Sequence, residues 1–368
     1  MRSTFQRVAL LLSLFLFAMV PCARAQDAPA LNPFPCPKAL TLCGERMPLE
    51  NPDVFEMLDR EFTVLVWDHA KVFMLLKRAA RFFPVIEKAL RDAGLPDDLK
   101  YLAVAESSLI PHARSSSGAL GHWQFIPETG QRKGLRKDHT VDERMALERS
   151  TEAAILYLTQ LKAMFGAWSL AMAAYNCGEN RVQKEIIEQK VSDYYRLNLP
   201  TETERYVFRI AAIKIILENP RRYGYQMPED QLYKPLKFDT VTVSVSSSVH
   251  ITDLAQAIGT DFKVIKELNP ELLGYYLPTG QYSLKVPAGS GRNALAALAQ
   301  LNNGGQVAVR NNPSGNSTNS SQSVYVVQPG DTLTRISTTT GVPVERLKAF
   351  NGLADSHIEI GQRLKLAP

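Results

Sequence analysis

The chain has 368 residues, 45% of them hydrophobic, with 42 lysines and arginines against 37 aspartates and glutamates. This length and composition are ordinary for a globular protein of two or three domains. Because three of the arginines lie within residues 1–25, the remainder holds 39 basic against 37 acidic residues. So small an excess argues against a nucleic-acid-binding surface, and beyond residue 25 no apolar run approaches the length of a membrane-spanning helix.

Residues 1–25 have the three parts of a secretory signal peptide. Two arginines give a positive start, residues 8–20 are an apolar run, and residues 23–25 read Ala-Arg-Ala, a small-residue cleavage site. An apolar run of thirteen residues is too short to be a membrane anchor. We therefore predict an exported chain that begins at Gln26 after cleavage.

Cys22 raises another possibility, which is lipid attachment after lipoprotein-type processing. That processing favours a small residue before the cysteine, whereas Pro21 occupies this position. We therefore predict that the exported protein is not anchored through Cys22.

Residues 26–50 are rich in proline and are predicted to be irregular. In an oxidising compartment Cys36 and Cys43 could form a disulfide that stabilises the fold by roughly 2–3 kcal/mol. Cys177 is then the odd cysteine. We interpret it as a buried thiol that packs as a small hydrophobic group, because a nucleophilic cysteine needs a positioned histidine.

Helical periodicity begins at about residue 51 and continues to about residue 230, with almost no strand pattern. Gly94 and Pro96 interrupt it, and Asp97 and Asp98 begin the next helix, where acidic side chains stabilise the positive end of the helix dipole. The sequence therefore predicts a mainly α domain over residues 51–230.

Glu106 shares one face of that next helix with apolar residues, because Leu95, Leu99 and Leu102 precede it at helical spacing. Its carboxyl group should point toward the core or toward a cleft in the core. Burial there disfavours the charged form and raises the pKa, which is the condition for a general acid at neutral pH. A solvated surface glutamate is the alternative interpretation.

Three ordered sequence blocks surround this glutamate: Glu106-Ser107, Gly118 to Phe125 (Gly-Ala-Leu-Gly-His-Trp-Gln-Phe), and Ala173 to Gly178 (Ala-Ala-Tyr-Asn-Cys-Gly). Together they resemble the signature of the family 1 lytic transglycosylases. The resemblance implies a lysozyme-like catalytic domain of the soluble lytic transglycosylase type. It also implies that the substrate is the peptidoglycan glycan strand, and that the enzyme is periplasmic and associated peripherally with the cell wall or the outer membrane.

The resemblance implies a mechanism with one carboxyl group and no metal or other cofactor. Glu106 would act first as acid and then as base, cleaving the bond between N-acetylmuramic acid and N-acetylglucosamine without water and leaving 1,6-anhydro ends. The other residues implied in substrate binding are Ser107, Gln124, Phe125, Tyr175, Asn176 and Tyr206. The three histidines of this region have no metal-ligand spacing with nearby acids: His112, His122 and His139.

Two other functions stay open at this point. A goose-type lysozyme would share the helical core but hydrolyse the bond, with Asp138, Asp142 or Glu143 positioning water. A non-catalytic scaffold would only hold glycan. Trp123 and Phe125 could likewise be core residues instead of platforms for sugars.

The C-terminal part contains an internal repeat. Residues 241–245 alternate like a strand, two short helices follow over 251–259 and 262–268, and residues 281–286 form a closing strand. The same order recurs after residue 324. Four pairs share an offset of 82 residues: Ile251 with Leu333, Leu254 with Ile336, Gly259 with Gly341, and Asn269 with Asn351.

The second copy resembles a LysM module, a small βααβ unit that binds chains containing N-acetylglucosamine. The resemblance rests on residues 325–333, Tyr-Val-Val-Gln-Pro-Gly-Asp-Thr-Leu. We therefore predict small α+β modules after the helical domain: a degenerate LysM-like module over 240–288, a flexible linker rich in Asn, Gly and Ser over 289–323, and a LysM module over 324–368.

Overall fold

The computed structural model describes residues 34–302, 324–327, 331–340, 342–359 and 361–366. The predicted signal peptide, Cys22 and most of the predicted linker lie outside these residues. Within the described ranges, no helix combines the length and the apolar character needed to cross a membrane.

The fold is mainly helical, as the sequence predicts. Short 3-10 turns lie at Asp97–Leu99, Glu143–Met145, Tyr194–Arg196, Pro220–Tyr223 and Glu229–Gln231. The α-helices up to residue 230 are α1 (Pro52–Val66), α2 (His69–Asp92), α3 (Lys100–Ser107), α4 (Pro127–Arg132), α5 (Leu147–Phe165), α6 (Trp168–Cys177), α7 (Glu179–Gln189) and α8 (Thr201–Glu218).

Helix α8 lies at the centre of this domain and packs against α1, α3 and α6. Apolar residues cover most of its circumference, including Ile210, Ala211 and Ile213, all buried. A helix that is apolar all round is stable only when neighbouring helices enclose it. Because α3 packs on α8, this arrangement brings the end of α3 beside the first turns of α8.

The segment predicted to be irregular contains a small hairpin, β1 (Thr41–Leu42) paired with β2 (Glu45–Arg46). Cys43 occupies its turn with a left-handed backbone, and its N–H donates to Asp98 at 2.6 Å. The possible Cys36–Cys43 disulfide is absent, because both are free, buried thiols in different surroundings. Burial, followed by the charge of Asp59, raises the pKa of the Cys36 thiol to about 12.

The first module, defined here as residues 238–302, contains β3 (Phe238–Val245), β4 (Val249–His250), α9 (Ile251–Ala257), α10 (Phe262–Leu268), β5 (Tyr276–Leu277), β6 (Gly280–Pro287) and α11 (Gly291–Asn302). Strands β3 and β6 pair antiparallel along their whole length, from Phe238 opposite Pro287 to Val245 opposite Gly280.

Helix α11 corrects the sequence prediction, which began the linker at residue 289. Ala294, Ala297 and Leu298 of this helix are buried in the same core as Val241 and Leu284. The alanine-rich segment is therefore amphipathic and belongs to the module, because its apolar stripe needs the sheet to cover it.

The second module, residues 324–366 as far as they are described, contains β7 (Val324–Val326), α12 (Leu333–Thr340), α13 (Val344–Asn351) and β8 (Arg363–Lys365). The two modules share one hydrogen-bond arrangement. The Asn269 amide donates to the Ile265 and Lys285 carbonyls and accepts from the Lys285 N–H, and Asn351 makes the same bonds to Leu347 and Lys365. The repeat in the sequence is thus a repeat of structure.

Candidate active site

Glu106 lies in the last turn of α3, at a cleft of about 750 Å³. The chain leaves the helix abruptly, because Ser108 and Leu109 both adopt left-handed backbone conformations. For residues other than glycine this conformation costs roughly 1–2 kcal/mol each. The strain is retained where packing imposes it, and here it turns the chain away immediately after the glutamate.

Burial raises the pKa of the Glu106 carboxyl from 4.5 to about 7. Two weaker effects oppose the shift: the hydrogen bond from Tyr206 and the charge of Arg209 both lower the pKa, whereas Glu202 raises it slightly. Protein surrounds the carboxyl group, yet the residue retains some exposure to the cleft. It is therefore about half protonated at neutral pH and accessible to a ligand, as a general acid must be.

Tyr206 holds the Glu106 carboxyl in place. Its hydroxyl donates a hydrogen bond to Oε1 of Glu106 from the second turn of α8. The tyrosine is only 2% exposed, and burial raises its pKa well above the usual value. It therefore stays a neutral donor at neutral pH, and it fixes the direction of the carboxyl group.

The cleft loop, residues 113–125, forms one wall. Gln124 lines the cleft with a left-handed backbone, and its amide nitrogen donates to the carbonyls of Ala113 and Gly121 at 2.9 and 2.8 Å. Its amide group thus holds the loop closed, and the side-chain oxygen remains to accept from a ligand.

Ser107 differs from the sequence expectation, because it is not among the residues that line the cleft. It is buried, its hydroxyl donates to the carbonyls of Ala103 and His122 at 3.0 and 2.8 Å, and it accepts from the Leu109 N–H. Because successive helical residues are about 100° apart, its side chain leaves α3 on a different side from that of Glu106. It ties that helix to the cleft loop.

The facing wall comes from the end of α6. The Tyr175 hydroxyl donates to the Trp123 carbonyl at 2.8 Å, and the Asn176 side-chain oxygen accepts from the Thr203 hydroxyl at 2.8 Å. Phe125 packs edge-to-face on Tyr175 with ring centroids 6.0 Å apart. Tyr175, Asn176 and Phe125 all line the cleft.

Trp123, in contrast, is a core residue. It is fully buried, and its indole N–H donates to the Thr151 hydroxyl at 2.9 Å. Thr151 lies inside α5, which begins at Leu147. The Thr151 hydroxyl also donates to the Leu147 carbonyl, so it joins the helix to the cleft loop.

Several cleft residues were missed in the sequence. Glu202 and Arg209 lie at helical spacing from Tyr206, so the position of that tyrosine could have revealed both. Arg132 and Glu179 face each other at 3.6 Å across α4 and α7, and no local pattern indicates this contact. The cleft-lining residues beyond the predicted set include Tyr157, Cys177, Arg181, Glu202 and Arg209.

Cys177 is one of these cleft residues, and burial raises the pKa of its thiol. The thiol is therefore neutral at neutral pH, but it is only partly buried, which differs from the buried thiol that the sequence predicts. His122 is buried against Phe82, and burial lowers its pKa to about 3, which keeps the ring neutral. Across the described ranges, no three His, Cys, Asp or Glu side chains are grouped so that they could hold a metal ion.

Comparisons with known proteins divide the chain in the same order as the fold. Residues 83–198 match the Transglycosylase SLT domain, residues 239–303 the LysM-like domain of lytic transglycosylase MltD, and residues 325–367 the LysM domain. The second of these matches includes α11.

Similar whole proteins carry related descriptions. Membrane-bound lytic murein transglycosylase D of Escherichia coli K12 is 33% identical over 295 residues, 78% of this chain and 64% of that protein. Peptidoglycan transglycosylase gp16 of phage T7 is 36% identical over 107 residues, 28% of this chain and 8% of that protein. Uncharacterized lipoprotein YgeR of E. coli K12 is 55% identical over 47 residues, 12% of this chain and 19% of that protein. The chain thus spans 64% of the length of the E. coli transglycosylase.

Among solved structures, lytic transglycosylase Slt from Pseudomonas aeruginosa matches 41% of this chain and 26% of its own, with 20% identity and a TM-score of 0.30. A superposition this partial has no weight for the fold or the function.

Proposed function

With a Transglycosylase SLT domain, a LysM-like domain of the MltD type and a LysM domain in one chain, this protein is built like a lytic murein transglycosylase, and we propose that it has that activity. The substrate is the peptidoglycan glycan strand. The reaction cleaves the β1,4 bond from N-acetylmuramic acid to N-acetylglucosamine without water and leaves a 1,6-anhydro end.

The observation that supports this proposal most directly is the environment of Glu106. Its carboxyl group faces a cleft large enough for sugar rings, has a pKa of about 7, and is oriented by a neutral tyrosine. One group can then serve as acid and afterwards as base, because both protonation states are accessible near neutral pH.

The proposed steps conserve every proton. Glu106 donates its proton to the glycosidic oxygen as the bond from that oxygen to the muramyl C1 breaks, while the muramyl N-acetyl group assists from the other face. The Glu106 carboxylate then accepts the proton of the muramyl C6 hydroxyl as this oxygen attacks C1. The nucleophile belongs to the substrate itself, so its effective concentration is high. Glu106 ends the cycle protonated.

A hydrolase would need a second carboxylate to activate water. The three acids that the sequence offered for this role, Asp138, Asp142 and Glu143, do not line the cleft. Asp138 accepts hydrogen bonds from Thr140 and Arg136. Asp142 is paired with Arg144, and Glu143 accepts from the Arg136 N–H. Glu179 and Glu202 do line the cleft, and Glu179 already accepts from the Tyr157 hydroxyl at 2.6 Å. Replacing Glu202 therefore distinguishes hydrolysis from transglycosylation.

The test is digestion of purified peptidoglycan by the protein, with mass spectrometry of the soluble products. Products lighter by one water and without a reducing end support the proposal, whereas reducing ends establish a hydrolase. Glu106→Gln should lower turnover by at least about 10³-fold while binding to peptidoglycan persists. If the wild type binds peptidoglycan but releases no soluble products, while a known lytic enzyme digests the same preparation, the protein is a scaffold.

Glu202→Gln is the matched carboxyl variant. Transglycosylation predicts that it retains anhydro products with turnover within about tenfold of the wild type, because no water needs activation. Loss of turnover as complete as in Glu106→Gln would point to a hydrolytic pair.

The second module is proposed to bind glycan and to keep the enzyme on its polymer, which raises the local substrate concentration. The Glu106→Gln protein should sediment with insoluble peptidoglycan, and a Glu106→Gln chain ending at residue 323 should do so less. Equal sedimentation would exclude the second module as the tether.

We also propose that the protein is exported and associated with the cell wall. The mature protein should begin at Gln26 by N-terminal sequencing, and Cys22→Ala should leave its location in cell fractions unchanged. A lipid-modified N-terminal Cys22 would overturn both statements.

A further inference from the structure

The first module is joined to the catalytic domain by backbone hydrogen bonds. Val141 and Leu272 form an antiparallel β-bridge, the Asp142 N–H donates to the Glu271 carbonyl at 2.8 Å, and the Leu273 N–H donates to the Thr140 carbonyl at 2.7 Å. These bonds connect the module to the junction loop, defined here as residues 136–144. A flexible tether for glycan binding requires none of them.

Side chains extend the same contact. Val141 is only 4% exposed, and it is part of the hydrophobic core of the first module together with Val243 and Leu284. Lys285 of β6 forms an ion pair with Glu148 at the start of α5. The catalytic domain thus contributes a residue to the core of the module, and the two are packed as one unit at this point.

The junction loop also holds the cleft loop. Arg144 is buried and binds Asp142 through two hydrogen bonds of 2.8 and 2.7 Å. Its remaining terminal nitrogen donates to the carbonyls of Gly118 and Phe125 at 2.9 and 3.0 Å. One guanidinium group therefore connects the segment held by the module to the middle of the cleft loop at Gly118 and to its end at Phe125.

The packing between the two loops leaves no room for adjustment. Gly121 has a φ of +83°, and a Cβ atom built on it would lie 1.9 Å from the Arg144 carbonyl oxygen. A displacement of the junction loop must consequently move the cleft loop, in which Phe125 and Gln124 face the substrate site.

From this chain of contacts we propose that the first module positions the active site: it fixes the junction loop, and Arg144 passes that constraint to the cleft loop. Arg144 is a positioning residue, because it contacts the loop and not the cleft. The inference rests on the proposed function for its kinetic test, and it predicts a structural effect that is independent of activity.

The residues that line the cleft all come from residues 105–209, so turnover of a short soluble tetrasaccharide of the glycan depends on the cleft and not on a tether. Val141→Asp in the full chain introduces a charge into the core that the two domains share. We expect kcat on the tetrasaccharide to fall at least about tenfold with a smaller change in KM, because misplacing a catalytic wall by about 1 Å costs orders of magnitude.

A milder pair of variants covers the possibility that Val141→Asp does not fold. Lys285→Glu and Glu148→Lys each place like charges at the junction and should lower kcat about threefold, and the double exchange should restore it. Lys263→Glu is the matched control, since Lys263 lies in the same module with 83% of its side chain exposed. It should behave as the wild type.

Hydrogen exchange supplies the readout that needs no activity. Faster exchange of the Leu120 and Gly121 amides, which donate to Phe125 and Ala113, is expected in the junction variants. Unchanged exchange and unchanged tetrasaccharide turnover, with loss confined to insoluble peptidoglycan, would overturn the proposal and make the first module a tether. If the wild type itself fails to produce anhydro ends, the proposed function fails, and the exchange result alone decides the positioning role.

Discussion

Two regions of the catalytic domain each hold a shielded carboxyl group, and their partners are opposite in kind. Glu106 at the cleft is bound by the neutral hydroxyl of Tyr206. Asp142 at the junction is bound twice by the guanidinium of Arg144, and both side chains are at most 7% exposed. Without a cation in direct contact, desolvation dominates at Glu106 and raises its pKa to about 7. Burial thus gives Glu106 a pKa suited to proton transfer, whereas the ion pair gives Asp142 a structural role in holding the junction loop.

The largest expected effect is on stability at the junction. Arg144→Met removes the cation and leaves Asp142 buried without its partner, which should lower the free energy of unfolding by about 3–5 kcal/mol. Arg149→Met, which removes an arginine whose side chain is 50% exposed, should change it by less than about 1 kcal/mol. Denaturant unfolding measures both, and equal stabilities of the two variants would break the comparison.

The next expected effect is again on the free energy of unfolding, but it depends on pH and the variant gains stability. Since the pKa of Glu106 rises from 4.5 to about 7 on folding, the wild type loses stability as the pH rises from 4.5 to 7 and keeps that loss above 7. Glu106→Gln cannot ionise, so it should be more stable than the wild type by at most about 3 kcal/mol near pH 8, and equal to it near pH 4. This free-energy difference is an upper limit, because water in the cleft reaches the carboxyl group and weakens the cost of its charge.

Glu202→Gln is the control for this experiment, because it removes an exposed carboxyl group that lines the same cleft. A Glu106→Gln variant whose extra stability is the same near pH 4 and pH 8 would contradict a raised pKa.

The smallest expected effect concerns the hydrogen bond itself. The value of kcat/KM should fall as the pH rises through about 7, because the acid must be protonated to start the reaction. The Tyr206 bond lowers the pKa of Glu106, so Tyr206→Phe should move this limb to higher pH by about one unit. Tyr175→Phe should leave the limb in place, because its hydroxyl donates to the Trp123 carbonyl. A limb unmoved in Tyr206→Phe would show that the bond does not tune the acid.

The helical character, the internal repeat and the direction of Glu106 could be predicted because each depends on spacing along one element. Leu102 lies one turn before Glu106 on α3, as the spacing predicts, whereas Leu95 and Leu99 were wrongly placed on the same helix and precede its first residue. The offset between Asn269 and Asn351 anticipates a shared arrangement, because each amide bonds residues of its own module. Tyr206 could be named only through the resemblance, and the structure then places its hydroxyl on Glu106.

Other interpretations failed where distant segments compete for a group. Ser107 was expected in the cleft, yet two carbonyls within reach take its hydroxyl into the core. The predicted linker wrongly included α11, because alanine-rich segments have a weak apolar signal until a sheet covers them.

The sequence by itself determined that residues 51–230 are mainly helical, that Glu106 lies on a packed helix, and that two modules share a design, since local spacing and backbone hydrogen bonding decide these features. Only the tertiary structure decided that Glu106 meets a neutral donor, that Cys36 and Cys43 are free thiols, that α11 belongs to the first module, and that this module shares its core with Val141. Each of these depends on which distant side chains meet, and the free energy of burial is settled only when all neighbours of a group are in place.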